Sequence, residues 1–527
     1  MKIFEIFISE TVAAIDAFNS GLASGSLNGF IEGLAALIWS PVTALLCLFA
    51  GLYFSFRMRF VQLRKIPTMA KLLFSGSGSD EGISSFQAFA LAVAGRVGTG
   101  NIVGVATAIA YGGPGALFWM WAVAFFGAGS AYIESTLAQL YKTEIDGEYR
   151  GGPAYYFRKR GLKPLGYIFM FCCLIATGIL LPGVQSNAIV TAVYNGFGIS
   201  QTVMMIIVLV LIGIIIVGGT KSLSRAAEII VPFMSGIYII VAIIILIVNI
   251  GQVPATFSLI FRSAFGADAI LGASLGQAIL WGVKRGVFSN EAGQGTAPHA
   301  AAAAEVSHPA KQGLVQAFSV YFDTIFVCSA TGLSIIITGA YSIFIPGTQQ
   351  NGIFQTYAEH STMGGSPDKI AEYTPTAMSS LIGGFGHGFI AIALFFFAFT
   401  TLMAYYYYAE SNLELLMRNK FSDKQRKIAI WMLKGIFLAA TYFFGIRSNA
   451  AAWAAADIGV GLMAIINIIG ILIICKPAII CLKDFEKKQA EGKEDQPFVL
   501  EDLSIEEQKS FKGVDFWTRE NISKKKF

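Results

Sequence analysis

Seven residues, Gly95-Arg96-Val97-Gly98-Thr99-Gly100-Asn101, interrupt an otherwise apolar stretch of membrane length. The flanks, 86–94 and 102–110, are apolar enough to lie in lipid, whereas the centre holds three glycines and three polar side chains. Hydrocarbon offers backbone N–H and C=O groups no partner. Broken backbone at membrane depth therefore survives only where protein buries it or where it lines a cavity. There it presents bare amides and carbonyls to a ligand or an ion. The feature predicts an all-α polytopic membrane protein with a binding site built from interrupted helices, as in secondary transporters.

Composition agrees. The 527 residues are 55% hydrophobic and 13% charged, with a mean hydropathy of +0.63, against roughly 25% charged in an ordinary soluble domain. The formal charge of +5 is modest and its basic residues fall between spans, so no nucleic-acid partner is expected. The six cysteines (47, 172, 173, 328, 475 and 481) lie in or beside apolar segments and read as buried free thiols. The four histidines are scattered, which argues against a transition-metal centre, and residues 1–34 do not read as a cleavable leader. With no metal cluster, Gly-x-Ser-x-Gly or P-loop, an enzyme is not expected. A channel fits less well, because this is one long chain with paired breaks.

A span needs about 20 mostly apolar residues. About eleven candidates emerge: 34–56, 84–111, 115–141, 166–192, 201–218, 227–250, 268–297, 313–341, 378–412, 428–446 and 455–482. Basic residues cluster after the odd-numbered spans (Arg57 to Lys71, Lys142 to Lys163, Lys221 and Arg225, Lys311, Arg418 to Lys427). The alternate connections carry only Arg262, Lys369 and Arg447. The positive-inside rule then puts the N-terminus outside and the tail in the cytoplasm; the expected location is a plasma (inner) membrane of prokaryotic type. The expected organisation is an extracellular amphipathic segment over 1–33, a transmembrane domain over 34–482, and a solvated cytoplasmic tail over 483–527. Lys524–Lys526 of that tail can touch anionic lipid weakly. The 341–377 connection reads as a plain external loop, with a partial lid as the rival.

Leaving out the first span, ten remain. The first of them holds the 95–101 break. The sixth, 268–297, contains Trp281-Gly282-Val283-Lys284-Arg285-Gly286-Val287-Phe288 and then Ser289-Asn290-Glu291-Ala292-Gly293-Gln294-Gly295, also broken by glycines and polar groups. Matching breaks in two five-span halves point to an inverted repeat, about 84–250 and 268–482, with its site at the midplane.

A half-helix starting at mid-membrane presents unpaired N–H groups and the positive end of its dipole. The amides of Thr99, Gly100 and Asn101 can bind a carboxylate, with Gly98 and Gly100 allowing close approach. Carbonyls near Ala94–Val97 suit a hard cation such as Na⁺, which hydroxyls of Thr400 and Thr401 would complete. The rival readings are helix packing for the glycines and back-bonding onto their own helix for the threonines. Gln185 reads equally as a structural hydrogen bond or a ligand contact. One of Tyr405–Tyr408 is expected to line the site. Arg96, Glu134, Lys284, Arg285, Glu291, Asp323 and Glu410 are ionisable groups at or near membrane depth, hence functional candidates. Arg96 is expected to pair with Glu291 or Asp323 as a gate or structural link; a proton relay through Glu134 or Asp323 is the rival use.

Gly98-Thr99-Gly100-Asn101, the run Gly112-Gly113-Pro114-Gly115-Ala116-Leu117-Phe118-Trp119-Met120-Trp121, and Arg285–Gly293 continuing through Ala297-Pro298-His299-Ala300 resemble the alanine or glycine:cation symporter family. The resemblance runs from about 34 to 482. It implies a leucine-transporter-like fold of five plus five inverted helices with one added N-terminal helix, and Na⁺-coupled uptake of alanine and glycine with no organic cofactor. Residue by residue, it implies a carboxylate on the Thr99 and Gly100 amides. Sodium would meet the carbonyls of Ala94, Val97 and Phe397 and the hydroxyls of Thr400 and Thr401. Tyr405, Leu280 and Val283 would face the substrate, and Gln185 its amino group. The family usually carries tryptophan where this chain has Tyr405, which bears on pocket size. The expected partners are the amino acid, Na⁺ and the bilayer, with a monomer as the working unit. Proton coupling in the same fold is the alternative.

Overall fold

The computed structural model describes residues 2–75, 78–79, 81–266, 275–350, 353–418, 421–446 and 450–525. Helices α1 (Lys2–Ala23), α2 (Leu27–Ile38) and α3 (Pro41–Arg57) open the chain. The boundary expected at 33/34 falls inside α2. The chain breaks instead at Trp39-Ser40, where Pro41 supplies a first-turn φ and lacks the N–H that would be orphaned there. The first broken span is α4 (Ser85–Arg96) plus α5 (Gly100–Gly112), bent by 52°. A capping box of Ser84 and Gln87 starts α4, and Val97 ends it by taking extended backbone. Then come α6 (Gly115–Leu140), the hairpin β1 (Thr143–Ile145) and β2 (Glu148–Arg150), α7 (Pro153–Lys159), α8 (Lys163–Phe197), α9 (Gln201–Val217), α10 (Gly219–Val248) and α11 (Val253–Ala264). The second half holds α12 (Leu275–Asn290), α13 (Pro298–Ala303), α14 (Pro309–Thr338), β3 (Ser342–Phe344), β4 (Thr356–Ser361), α15 (Tyr373–Ile382), α16 (Gly386–Met417), α17 (Asp423–Gly445), α18 (Ala450–Ile474) and α19 (Lys476–Ala490).

Among the described residues, eight helical segments are long and apolar enough to cross a membrane, or nine with the bent pair. The two other expected spans are the 17-residue α9 and the 16-residue α12. The expected start of the latter, 268–274, lies outside the described residues, as do Lys420, Arg447 and Lys526. The last span stops at Ile474 rather than 482, because Lys476-Pro477 begins a new helix.

Burial separates core from periphery. The most apolar windows of α14 and α16 are each 78% buried, against 28% for α17 and 33% for α10, whose Ile229, Phe233 and Trp431 point outward. Helix α6 packs on α12 and α14 through small residues. A Cβ at Gly282 would stand 2.6 Å from the Ala116 carbonyl oxygen and 2.6 Å from Trp119 Cβ. Gly282 is thus a packing residue, and this corrects the expected second break. Residues 281–290 are helical, and the chain opens at 291–297, where Glu291, Gly293 and Gly295 adopt φ of 55°, 78° and 87°.

Two further expectations change. The 341–377 connection is folded: a hairpin and short helices, with Tyr373 buried and Thr374 Oγ1 donating to the Ile102 carbonyl at 3.4 Å. The tail is not a solvated extension. Phe498, Phe511, Trp517 and Ile522 are buried. Trp517 Nε1 donates to the Gln139 carbonyl at 2.8 Å. The Lys142 ammonium lies 4.1 Å from the Tyr149 ring centroid and 4.5 Å from that of Phe516. Burial holds His308 down at about 4, so it stays neutral. Its Nδ1 accepts from the Ala310 N–H at 3.1 Å and its Nε2 donates to Asp484 at 3.1 Å. Because burying a tryptophan is worth about 3–5 kcal/mol, Trp517→Ala is expected to loosen the tail. Trypsin cleavage at Lys512 and Arg519 should rise at least about tenfold, read by mass spectrometry of detergent-purified protein. Unchanged cleavage would mean that the other tail contacts suffice.

Candidate functional site

Helix α16 carries Thr401 against the broken end of α4. Its Oγ1 lies 2.9 Å from the Ala94 carbonyl oxygen, 3.3 Å from that of Val97 and 2.9 Å from that of Phe397. One hydroxyl donates one hydrogen, so it can satisfy one of those carbonyls at a time. Three carbonyl oxygens and a hydroxyl oxygen converging at one buried point form the oxygen-only surround that a hard cation takes. Ala94 and Val97 are available because α4 stops there, leaving its last carbonyls without helical partners. Thr400 behaves differently. Its Oγ1 bonds back to Phe396 at 3.1 Å and Phe397 at 3.0 Å on its own helix, so it meets the cluster only through the shared Phe397 carbonyl.

Just beyond lie the amides of the break. Gly98 N–H donates to Asn101 Oδ1 at 2.8 Å, and Thr99 N–H donates to Gln185 Oε1 at 3.1 Å. Gln185 therefore caps the proposed carboxylate cradle; it is not held apart from it to meet an amino group. The Tyr405 hydroxyl reaches Gln185, and the residue is 2% exposed. A Cβ at Gly100 would meet Phe288 Cδ1 and Ser289 Cα, each at 3.2 Å. The part of α12 facing the break is thus Phe288-Ser289. Leu280 and Val283, expected there, sit elsewhere on that helix: Leu280 lines an open cavity and Val283 is buried in the core.

The expected pairing of Arg96 with Glu291 or Asp323 does not form. Arg96 reaches one turn of α14 instead, with Nη1 donating to Ser319 Oγ and, at 3.5 Å, to the Gln316 carbonyl. Asp323 stands on the next turns of that helix and is bound by Asn101 Nδ2 at 2.6 Å, Ser289 Oγ at 2.9 Å and Thr324 Oγ1 at 2.7 Å. It thereby ties the first break to α12. Glu134 likewise holds the second break, accepting from Gly293 N–H at 3.1 Å and Asn467 Nδ2 at 2.6 Å.

A cavity of about 650 Å³ opens at the end of the bundle away from the tail, walled by Glu10, Thr107, Asn187, Leu280 and Ile390. Arg285 and Asp457 lie at its inner side in a bidentate pair at 3.1 and 2.9 Å, with Lys284 Nζ 2.8 Å from the same carboxylate. The guanidinium stands 5.3–5.4 Å from the ring centroids of Trp281, Phe288 and Trp453. Sequence reading singled out Lys284 and Arg285 but missed Asp457, whose only signal was one acid in an apolar span.

The description "Sodium:alanine symporter family" belongs to a family model that matches residues 24–499. The chain is 49% identical over 493 residues to the "Putative sodium/proton-dependent alanine carrier protein YrbD" of Bacillus subtilis, covering 93% of this chain and 98% of that one. It is 47% identical over 431 residues to the "Sodium/proton-dependent alanine carrier protein" of Bacillus sp. PS3, covering 81% and 93%. Among solved structures, that of MhsT in complex with L-phenylalanine superposes with a TM-score of 0.50 at 14% identity, covering 83% of this chain and 97% of that one. The leucine-transporter-like fold that the family resemblance implies is thereby established.

Proposed function

The chain belongs to the sodium:alanine symporter family, and from that premise we propose that it couples inward Na⁺ movement to uptake of alanine, and of glycine, by alternating access. It is a membrane transporter and not an enzyme. The observation that carries the ion assignment is the convergence of the Ala94, Val97 and Phe397 carbonyls on the Thr401 hydroxyl. Na⁺ at that point fastens the end of α4 to α16 and fixes the geometry of the adjacent amides. The amino-acid carboxylate then takes the Thr99 and Gly100 amides, with Gln185 leaving the Thr99 N–H to meet the substrate. Tyr405 and Phe288 bound the small side chain. The cavity is the outer vestibule and the tail face is cytoplasmic, so the N-terminus is outside, in a prokaryotic plasma membrane. The working unit is a monomer.

The energy suffices. One Na⁺ crossing about 100 mV releases ~2.3 kcal/mol, and a tenfold gradient adds ~1.4 kcal/mol. Together these support several-hundred-fold accumulation of a neutral zwitterion.

The test is uptake of labelled alanine into proteoliposomes under an inward Na⁺ gradient, with choline replacing Na⁺ as the control. Uptake is expected to require Na⁺. Thr401→Ala should raise the half-saturating Na⁺ concentration about tenfold while sparing the rate at saturating Na⁺. Thr400→Ala should shift it less than about threefold, since Thr400 bonds its own helix. Equal shifts for both threonines would refute the Thr401 cluster as the ion site. The relatives' names mention protons as well as sodium, and this supports one second reading. If uptake is equal in choline and collapses with the pH gradient, the coupling ion is H⁺.

A further inference from the structure

Beneath the broken helices, on the way from Thr401 to the tail face, lies a set of buried polar groups that the proposed mechanism leaves unused. Arg96 and Glu291 are each 1% exposed. Arg96 spends Nη1 on Ser319 and Gln316, while Nε and Nη2 have no partner among the described residues. These two nitrogens share one edge of the planar guanidinium, the edge that grips a carboxylate in a bidentate fork. Neither carboxylate oxygen of Glu291 makes a hydrogen bond of good geometry among the described residues, and the hydroxyls of Thr296 and Tyr408, which stand beside it, make none either. Opposite charges at this depth ordinarily meet, yet no ion pair joins these two among the described residues. Tyr408 links their surroundings: its hydroxyl is 2.5 Å from where a Cβ on Gly95, the chain neighbour of Arg96, would stand, and its ring is 5.5 Å from that of His299, which bonds the Thr296 carbonyl at 2.8 Å.

Neighbouring acids do not share this state. Glu134 is satisfied by Gly293 and Asn467, and Asp323 by Asn101, Ser289 and Thr324. Glu291 alone of the three is left over, and its backbone is held at φ 55°, a left-handed conformation that a glutamate rarely takes. Such an outlier persists where its surroundings over-determine it, which is characteristic of ligand sites. Location fits a passage. Arg96 ends α4, whose other end packs toward the tail face, where Ile83 bridges Ala304. Tyr408 lies about two turns beyond Thr401, on the way to Glu410, which pairs with Arg150.

We infer that Arg96 and Glu291 form a second, inner binding site for the α-amino-acid zwitterion, occupied as substrate leaves the central site toward the tail face. The Nε and Nη2 edge of Arg96 takes the carboxylate, Glu291 takes the ammonium, and the Tyr408 and Thr296 hydroxyls complete the ring of polar contacts. A zwitterion supplies one donor head and one acceptor head, which matches the two unfilled halves; a lone cation would leave the guanidinium edge bare. This inference rests on the reading of the chain as an amino-acid transporter.

The test measures alanine KM separately from the vestibule face and from the tail face, in oriented proteoliposomes at saturating Na⁺. For Glu291→Gln and Arg96→Lys, KM at the tail face is expected to rise at least about tenfold, with KM at the vestibule face within about threefold of wild type. Unchanged KM at both faces overturns the site. So does an equal rise at both faces, which makes the pair part of the central site or the scaffold. A shift confined to the half-saturating Na⁺ concentration overturns it too, by making Glu291 an ion ligand. Should Glu291→Gln fail to bind labelled alanine in detergent, Glu291→Asp replaces it, since aspartate tolerates left-handed backbone; the same face-specific rise is required. Wild-type vesicles that take up no alanine refute the transport reading itself, and the inner site with it, whereas active wild type with unchanged variants refutes the inner site alone.

Discussion

Gly98→Ala is expected to lower Na⁺-driven alanine uptake about 100-fold, a larger loss than any other single methyl group added along the first break. The added Cβ would stand 2.5 Å from Thr401 Oγ1 and 3.0 Å from Gln185 Oε1. Neither neighbour yields cheaply. Thr401 is β-branched and stiff at χ1, and its hydroxyl is fixed among three carbonyls. Gln185 is held by the Thr99 amide. Relief therefore requires the break to move off α16, which separates the Ala94 and Val97 carbonyls from Phe397. Overpacking of this kind costs about 1–3 kcal/mol, and ~2.7 kcal/mol corresponds to 100-fold. Gly104→Ala is the internal control, because its Cβ would meet nothing nearer than Arg285 Cδ at 3.8 Å. It should retain uptake within about threefold of wild type. Initial rates across a Na⁺ series decide the matter, with half-saturating Na⁺ rising in Gly98→Ala and not in Gly104→Ala. Similar activity of the two variants would disprove the close contact of break and α16.

The first break was legible because its polar and glycine residues stand in an apolar field, a contrast that only a buried, non-lipid role explains. The second was legible only to within a dozen residues. Gly282 and Gly286 look in sequence like Gly293 and Gly295, but the former pair lets α6 approach closely, while the latter turns the chain at positive φ. A glycine's reason for being a glycine lies in its neighbours, and those are distant in sequence. The same limit hid the partner of Arg285: Asp457 stands 172 residues away on another helix. It also misdirected Arg96, since the choice among Glu291, Asp323 and a turn of α14 is set by helix rotation rather than by composition. Of the oxygen cluster around Thr401, the end of α4 and the Thr401 hydroxyl were readable from the residues, and the Phe397 carbonyl only from the resemblance. The tail misled because its large apolar residues, Phe498, Phe511 and Trp517, are few and irregularly spaced among charges.

Asp457→Asn is expected to destabilise the protein by about 3–5 kcal/mol, the cost of removing one member of a buried ion pair and stranding the rest. Here two cations are stranded. Lys284 and Arg285 converge on the one carboxylate, with side chains 11% and 4% exposed. The Trp281, Phe288 and Trp453 rings about the guanidinium favour a cation at each face but cannot neutralise two. Lys284→Met separates the contributions. It leaves the bidentate Arg285–Asp457 pair intact and removes a like charge beside it, so its cost should stay below about 1 kcal/mol. The double variant should then be more stable than Asp457→Asn alone, since only one cation remains unpaired; that inversion is the coupling a double-mutant cycle reports. Reversible denaturant unfolding in detergent supplies the three values. The consequence for transport follows from position, because Arg285 lines the cavity and stands 5.4 Å from the ring of Phe288, which covers Gly100. A stranded Arg285 no longer holds that ring against α18, so alanine binding should weaken in Asp457→Asn and recover in part with the added Lys284→Met. Stability loss with unaltered alanine affinity would make the triad a structural tie and detach it from the substrate path.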